Sequence, residues 1–399
     1  MSGERTSLSQ FSLWFGAAVS IAEMLTGALI APLGFKNGMA AILIGHVIGG
    51  FILFMAGSIG AKSKLSSSES TRISFGTYGS YLFSLLNIIQ LLGWTAVMII
   101  GGAKTLNVVT IQLFGMNNEV VWSILIGFLI IIWISLGMKN VSYVNGIAVG
   151  ILFIFTIILG VTVFSNELIP VGEMTGKMTF GTAVELNVAM ALSWLPLIAD
   201  YTKHVEKEKS GTFYSVLGYF IGSILMFVIG LGASLYVGTT DIASILLSAG
   251  LGGVALFIVL FATITTTFLD VYSAGISFQN ISHRISEKNA GILVCILGVV
   301  LAVFVPITQY EHFLYLIGSV FAPLFAILLT EYFIFKKTSI NKGTLINLSN
   351  IVIWVLGVIG YRLFLPIGSV AGVTLPIMIA TGLVTIILNG GRKVWKKKF

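Results

Sequence analysis

The chain has 399 residues, of which 57% are apolar and only 9% charged, whereas a soluble domain is about 45–50% apolar and about 25% charged. So little charge cannot solvate a globule of this length, so the expected solvent is lipid. The formal net charge of +7 does not point to nucleic acid, because the cations fall in short clusters between apolar runs, as lipid headgroups and membrane topology require.

Spanning a bilayer takes about 20 mostly apolar residues. Twelve runs meet that need, at 12–32, 38–60, 79–102, 119–137, 143–165, 183–200, 213–237, 253–279, 291–308, 312–334, 346–365 and 373–389. The expected fold class is therefore an all-α membrane protein with 12 transmembrane helices. The runs are too continuous for barrel strands, which alternate with a period of two. Met1–Gln10 has no cationic start, and no small-residue cleavage pattern follows it, so no signal peptide is expected.

Lysine and arginine set the expected orientation. With the N-terminus inside, only Lys36, Lys104, Lys177 and Arg362 fall at outer positions, and the remaining cations collect on the cytoplasmic side. An odd number of spans would destroy that alternation. Both termini are expected to be cytoplasmic, in the cell (plasma) membrane, with 390–399 a basic tail. The outer loop at 238–252 is too apolar for free coil and is expected to form a short surface helix.

In span 1, Gly16, Ser20 and Gly27 weaken the helix around Glu23. Glu23 lies 11 residues beyond Ser12, about 16 Å deep at 1.5 Å per residue, near the bilayer centre. An acid there costs about 2.5–3.5 kcal/mol on insertion scales, so a substrate donor, a cation, a proton or an internal partner must offset it. His46, midway along span 2 among small residues, reads as a packing histidine rather than a proton relay.

Span 3 places Gln90 and Trp94 on one helical face. An indole can stack on a flat heteroaromatic ring while an amide reads its edge. Span 6 holds Ser193 and Trp194 just before Pro196, which removes an N–H and clashes with the preceding turn. Trp194 is placed to cover the ring's other side. Asp200, at the end of that span, reads as a gate or salt-bridge residue. Span 8 carries Thr263, Thr266, Thr267 and Asp270 on one face, with Thr265 adjoining. Threonine hydroxyls with backbone carbonyls suit sodium, although such hydroxyls often bond back to their own helix. Cys295 lies inside an apolar run and reads as a small hydrophobe.

Two interrupted spans at corresponding places of two inverted halves are a recurring transporter design. Spans 1 and 6 correspond if the chain is a five-plus-five repeat, as do spans 3 and 8. A channel should show charge rings or a filter segment, and an enzyme a nucleophile with a base or metal ligands; neither pattern occurs. A transporter-like sensor would need a signalling domain, and none is apparent.

Several segments resemble the nucleobase–cation symporter-1 family, the relatives of cytosine permease. They are AILIGHVIGGFILFMAGSIGAKSKL (41–65), TRISFGTYGS (71–80), the Gly93–Trp94 step, ADYTKH (199–204) and VYSAGISFQNIS (271–282). The resemblance runs from about residue 12 to 282 and more loosely beyond. SIAEMLTGALIAPLGF (20–35) and SWLPLIADYTKH (193–204) most resemble hydroxymethylpyrimidine transporters associated with thiamine biosynthesis.

The resemblance implies a leucine-transporter-like fold. Its first inverted repeat would be 12–165 (helices 1–5), after a cytoplasmic 1–11, and its second 183–334 (helices 6–10). Helices 11–12, at 346–389, would follow. It also implies a sodium site from the Gly16–Ser20 stretch with Thr265 and Thr266, and a base-stacking role for Trp94. The family's cytosine permease differs here: its glutamine lies three residues before the tryptophan, where Gln90 lies four before, its span-8 Asn aligns with Ala262, and it has no acid at Glu23. These departures point to a ring other than cytosine. The expectation is a symporter, not an enzyme, that imports a small aminopyrimidine, hydroxymethylpyrimidine, with sodium. It needs no cofactor beyond the coupling cation. A proton-driven variant would use Glu23 or Asp270, and cytosine or another nucleobase or thiamine-related compound is the alternative cargo. Glu23, Gln90, Trp94, Ser193, Trp194 and Asp270 are the expected substrate residues; Gly16, Ser20, Thr265 and Thr266 are the expected sodium ligands.

Overall fold

Span 1 is two helices, α1 (Ser7–Ala18) and α2 (Ile21–Leu29). The break has a local cause. Ser20 is extended (φ −134°, ψ 158°), and its hydroxyl accepts the Glu23 N–H, so a new helix starts in mid-span. Ser-x-x-Glu is the spacing of an N-terminal cap. The computed structural model describes residues 6–165, 177–248, 252–305 and 310–396, and the regular structure among them is all helical.

After a 3₁₀ turn the chain reverses at Gly34, whose φ of +71° with ψ 169° is open to glycine alone. Helix α3 (Gly34–Ser63) then returns with two distinct faces. Leu43, Val47 and Phe51 are exposed along one side, as lipid-facing positions should be. Glycines line the other. A Cβ on Gly45 would lie 2.4 Å from the Asn187 Cβ, and one on Gly60 2.6 Å from the Ala199 Cα. Small residues thus let helix backbones close up in lipid, where no hydrophobic force drives them together.

A one-turn helix, α4 (Ser67–Ser70), precedes α5 (Arg72–Phe114). Ser66 and Glu69 form a complete capping box at α4. Burial pushes the Glu69 carboxyl up. The Ser66 N–H and hydroxyl, with the charges of Lys203 and Arg72, outweigh that and hold it below its ordinary value.

Expected spans 4 and 5, at 119–137 and 143–165, form one continuous helical element, α6 (Glu119–Phe164), so the expected loop between them is not a helix break. It nevertheless holds two stretches apolar enough to cross, Glu119–Leu136 and Ile147–Phe164. Ile126 meets Gly102 and Ile134 meets Gly291, while Phe153 packs on Phe15 and Phe164 on Phe35.

Span 6 is also broken, into α7 (Phe180–Ser193) and α8 (Leu195–Thr202), with a 41° bend. Pro196 sits in the first turn of α8, where its missing N–H costs least. Helix α9 (Glu208–Val237) runs alongside span 1, with Phe11 on Gly218, Phe15 on Gly222 and Met24 on Gly230. The segment expected as a surface helix is α10 (Ile242–Ser248). It is not superficial: Ile242, Ala243, Ile245 and Leu246 are all buried, because an apolar four-residue face gains more from the bundle than from the interface.

Helices α11 (Gly252–Ile281), α12 (Glu287–Phe304) and α13 (Tyr310–Leu329) follow, the last prolonged by a π turn at Thr330–Ile334. Helices α14 (Leu348–Phe364) and α15 (Thr374–Lys396) dock outside them. Their anchor is Glu185 of α7. Its carboxylate accepts from the Tyr361 hydroxyl, the Thr374 hydroxyl and the N–H groups of Val373 and Thr374. Among the described residues, eight stretches are long and apolar enough to cross a bilayer, and the α7–α8 pair is a ninth. Separating α2 from α3 at Gly34 and adding the apolar α14 and α15 gives twelve passes.

Candidate functional site

The two helix breaks meet in the middle of the bundle, with α5 and α11 closing the sides. Ser20, Ala22 and Glu23 come from the first break and Met190, Ser193 and Trp194 from the second. Trp94 and Met98 of α5 and Thr266 and Asp270 of α11 complete one cavity. It offers about 20 Å³ to water-sized centres, room for one or two waters, so a ring enters only when its walls part.

The expected residues Ser20, Glu23, Trp94, Ser193, Trp194, Thr266 and Asp270 all line this cavity. Gln90, Gly16 and Thr265 do not. Gln90 instead serves the second break: its Nε2 donates to the Ser193 carbonyl at 3.0 Å and to Asn87 Oδ1 at 3.2 Å. That carbonyl is free because the Leu197 N–H bonds Trp194 O, one residue along. Asn87 in turn donates to Pro196 O and Ser277 Oγ. Below them, Asp200 accepts the Ser67 N–H at 2.8 Å, and Ser67 Oγ accepts the Ala199 N–H. Asp200 therefore ties α8 to α4.

Glu23 is 1% exposed. Its Oε2 accepts from Ser223 Oγ at 2.6 Å, while Oε1 has no hydrogen-bond partner. The tryptophans are held edge-on by other rings: Trp94 by Phe313 at 5.3 Å and Tyr310 at 6.1 Å, Trp194 by Trp14 at 5.4 Å and Tyr219 at 6.1 Å. Such edge contacts fix ring orientation at little entropic cost.

Beside the cavity, Thr266 Oγ donates to Ala17 O at 3.0 Å, joining α11 to the end of α1. The Ser20 N–H turns back to Ala18 O rather than Gly16 O, so the last carbonyls of α1 lack their helical partners. Thr263 and Thr267 hydroxyls are buried without a hydrogen-bond partner, Thr263 against Gly102 of α5. The Thr266 hydroxyl and the carbonyls at the end of α1 are oxygens of the kind that suit a hard cation. Thr265 does not join them, because its hydroxyl donates to Phe261 O and Ala262 O of its own helix.

Ser223, His46, Tyr219 and Tyr310 belong to the site's surroundings and carried no sequence signal, except that His46 stood out as a mid-span histidine. Among the described residues no cluster of His, Cys, Asp or Glu could hold a metal ion.

Two spans broken at a shared central cavity, inside a bundle of apolar helices, define a membrane transport protein. Residues 4–380 match the family of permeases for cytosine/purines, uracil, thiamine and allantoin, and the chain belongs to that family, the nucleobase–cation symporter-1 group. Its relatives are permeases rather than enzymes. It is 24% identical to cytosine permease of Escherichia coli (strain K12) over 321 residues, covering 79% of this chain and 75% of the relative. Hydantoin permease of Microbacterium maritypicum is 22% identical over 415 residues, covering 96% and 85%. The vitamin B6 transporter of Saccharomyces cerevisiae is 23% identical over 368 residues, covering 82% and 62%.

Among solved structures, the chain is similar to the nucleobase-cation-symport-1 transporter Mhp1 in a closed conformation with bromovinylhydantoin bound. The TM-score is 0.79 at 20% identity, over 99% of this chain and 94% of that one. A Na⁺-coupled sialic acid symporter in a substrate-bound outward-open state gives 0.70 at 15% identity, over 96% and 88%. The fold is thus that of the leucine-transporter-like symporters.

Proposed function

We propose that the chain is a secondary transporter that imports a small aminopyrimidine, hydroxymethylpyrimidine, together with sodium across the plasma membrane. The observation that carries this reading is the convergence of Trp94, Trp194 and Glu23 on one cavity between the two helix breaks. Two indoles offer flat surfaces to a ring, and the unpartnered Glu23 Oε1 offers an acceptor to an exocyclic amine. The cargoes named for these relatives, cytosine, hydantoin and vitamin B6, are all small rings. Resemblance of 20–35 and 193–204 to hydroxymethylpyrimidine transporters favours that cargo over cytosine. The Thr266–Ala17 contact beside the freed carbonyls at the end of α1 favours sodium. The cationic clusters favour cytoplasmic termini.

The test is uptake into proteoliposomes holding the purified chain, with labelled hydroxymethylpyrimidine and an imposed sodium gradient. Sodium-dependent accumulation, blocked by excess unlabelled hydroxymethylpyrimidine more strongly than by cytosine, is the expected result. Accumulation of cytosine alone, or uptake indifferent to sodium, contradicts the substrate and the ion respectively.

A further inference from the structure

A second, smaller cavity lies toward α4. It offers about 10 Å³ to water-sized centres, room for one water. Asn87 of α5, Pro196 of α8, and Ser67, Ser68 and Thr71 at α4 are among its walls. Pro196 follows closely on Trp194, which lines the central cavity, and Asn87 Nδ2 donates to Pro196 O at 3.2 Å. Helix α4 is a single turn whose Ser67 and Ser68 are buried while Glu69 is part-exposed. One turn of helix thus stands between this second cavity and the surface.

The two sides of α4 are held differently. Toward α8 it is held at Ser67 alone: the Ser67 N–H donates to Asp200 Oδ1 at 2.8 Å, and Ser67 Oγ accepts the Ala199 N–H at 2.9 Å. Toward α5 and α11 it is held at Ser68. Ser68 Oγ is 2.9 Å from Ser277 Oγ, and the Ser68 carbonyl accepts from the hydroxyls of Ser80 and Thr71. Thr71 both ends α4 and begins α5, so the two helices are covalently one unit. On the other side the chain passes from α3 to α4 through a short non-helical link at 64–66.

We infer that α4 is a door on the route out of the central cavity, hinged on α5 at Thr71 and latched to α8 by Ser67. The chemistry of the neighbouring interfaces fits that division. Helix α8 meets α3 through glycines: a Cβ on Gly57 would lie 3.1 Å from Ile198 Cγ1, and one on Gly60 2.6 Å from the Ala199 Cα. Such close backbone packing is how helices stay together in lipid. The contact of α8 with α4 is polar instead. A buried polar group is costly only while it lacks a partner, and water can replace each partner when the contact opens. The Ser67 latch can therefore part into water without leaving a group unsatisfied.

The inference rests on the transport class for its purpose, and its test needs neither the substrate nor the ion proposed above. Single-cysteine reporters are made in the Cys295→Ala background, Leu324→Cys at the second cavity and Met98→Cys at the central one. Their labelling by N-ethylmaleimide is timed with the full chain in lipid nanodiscs. Ser67→Pro removes both the N–H and the hydroxyl of the latch. It sits at the first position of α4 after an extended Ser66, where proline suits a helix. Both reporters should label about tenfold faster, the scale of two ordinary hydrogen bonds. Asp200→Ala removes one of those bonds from the α8 side and should act in the same direction, which keeps the test decisive if Ser67→Pro does not fold. Ser68→Ala, on the hinge side, should leave both rates as they were. Unchanged labelling in Ser67→Pro and Asp200→Ala overturns the door. So does acceleration at Leu324→Cys alone, because the second cavity would then not lead to the first. Equal acceleration of the buried native Cys295 in Ser67→Pro would mean general loosening and overturn it too. An effect of Ser68→Ala as large as that of Ser67→Pro overturns the hinge.

Discussion

Trp94 gives the most direct test at the scale of single residues. Held edge-on by Phe313 and Tyr310, it is a rigid surface for a planar ring. Base–aromatic stacking is worth about 1–3 kcal/mol, so Trp94→Ala should weaken substrate binding roughly 5- to 150-fold, with Trp94→Phe keeping part of it. Calorimetric titration checks this, and wild-type affinity in Trp94→Ala removes the stacking role. Glu23 behaves differently. Glu23→Gln retains one donor and one acceptor and should bind partially, whereas Glu23→Ala should bind almost nothing; equal loss in both would show that ionisation, not shape, is required. The sequence made Glu23 legible because a mid-span acid needs an offsetting partner. It could not name that partner. Ser223 is 200 residues away, and a buried serine in a helix reads like any small packing residue. Gln90 shows the reverse limit: its helical face was legible, but the freed Ser193 carbonyl that captures its amide exists only once α7 and α8 break.

At the scale of elements, the first break is held by its neighbours. A Cβ on Gly230 would lie 2.0 Å from the Met24 carbonyl oxygen, a backbone atom that cannot swing aside. Gly230→Ala should therefore push α2 off α9, costing about 1–3 kcal/mol as overpacking does. Thermal unfolding in detergent should show it, with Gly101→Ala, where nothing lies within 4 Å, as the control that does not lose stability. Helix α4 carries a pH signature. The folded Glu69 carboxyl is held below its ordinary value, so its contribution is present above the unfolded value and lost as pH falls through the folded one. Glu69→Gln should lower the unfolding temperature at neutral pH, and the gap to wild type should close in acid; a gap that persists there would assign the effect to shape. Both broken spans were legible, span 6 from Pro196 and span 1 from its small residues around Glu23. The continuity of α6 and the burial of α10 were not. The polar segment between the two stretches of α6 reads as a loop although its backbone stays helical, and an apolar loop looks alike whether it faces lipid headgroups or the bundle.

For the whole molecule, the two broken spans of this permease meet at one cavity. Thr266 lines the cavity and also bonds Ala17, so the proposed cation and ring sites share a residue. Coupling between ligands is reciprocal: Thr266→Ala should weaken sodium and substrate binding together, and sodium should cease to improve substrate affinity. Twelve passes and the expected class were legible from hydropathy and charge alternation alone, because the bilayer permits so few backbone solutions. Cargo is a matter of a few atoms around a small cavity, and hydropathy carries none of that information. The central claim is that this cavity reads an aminopyrimidine through Glu23. It is tested by calorimetric titration of the purified wild-type chain, in sodium, with hydroxymethylpyrimidine and with the same ring lacking its exocyclic amine. The account predicts clear binding of the first and a loss of about tenfold or more for the second, the scale of one hydrogen bond to a charged group; equal affinities would contradict it.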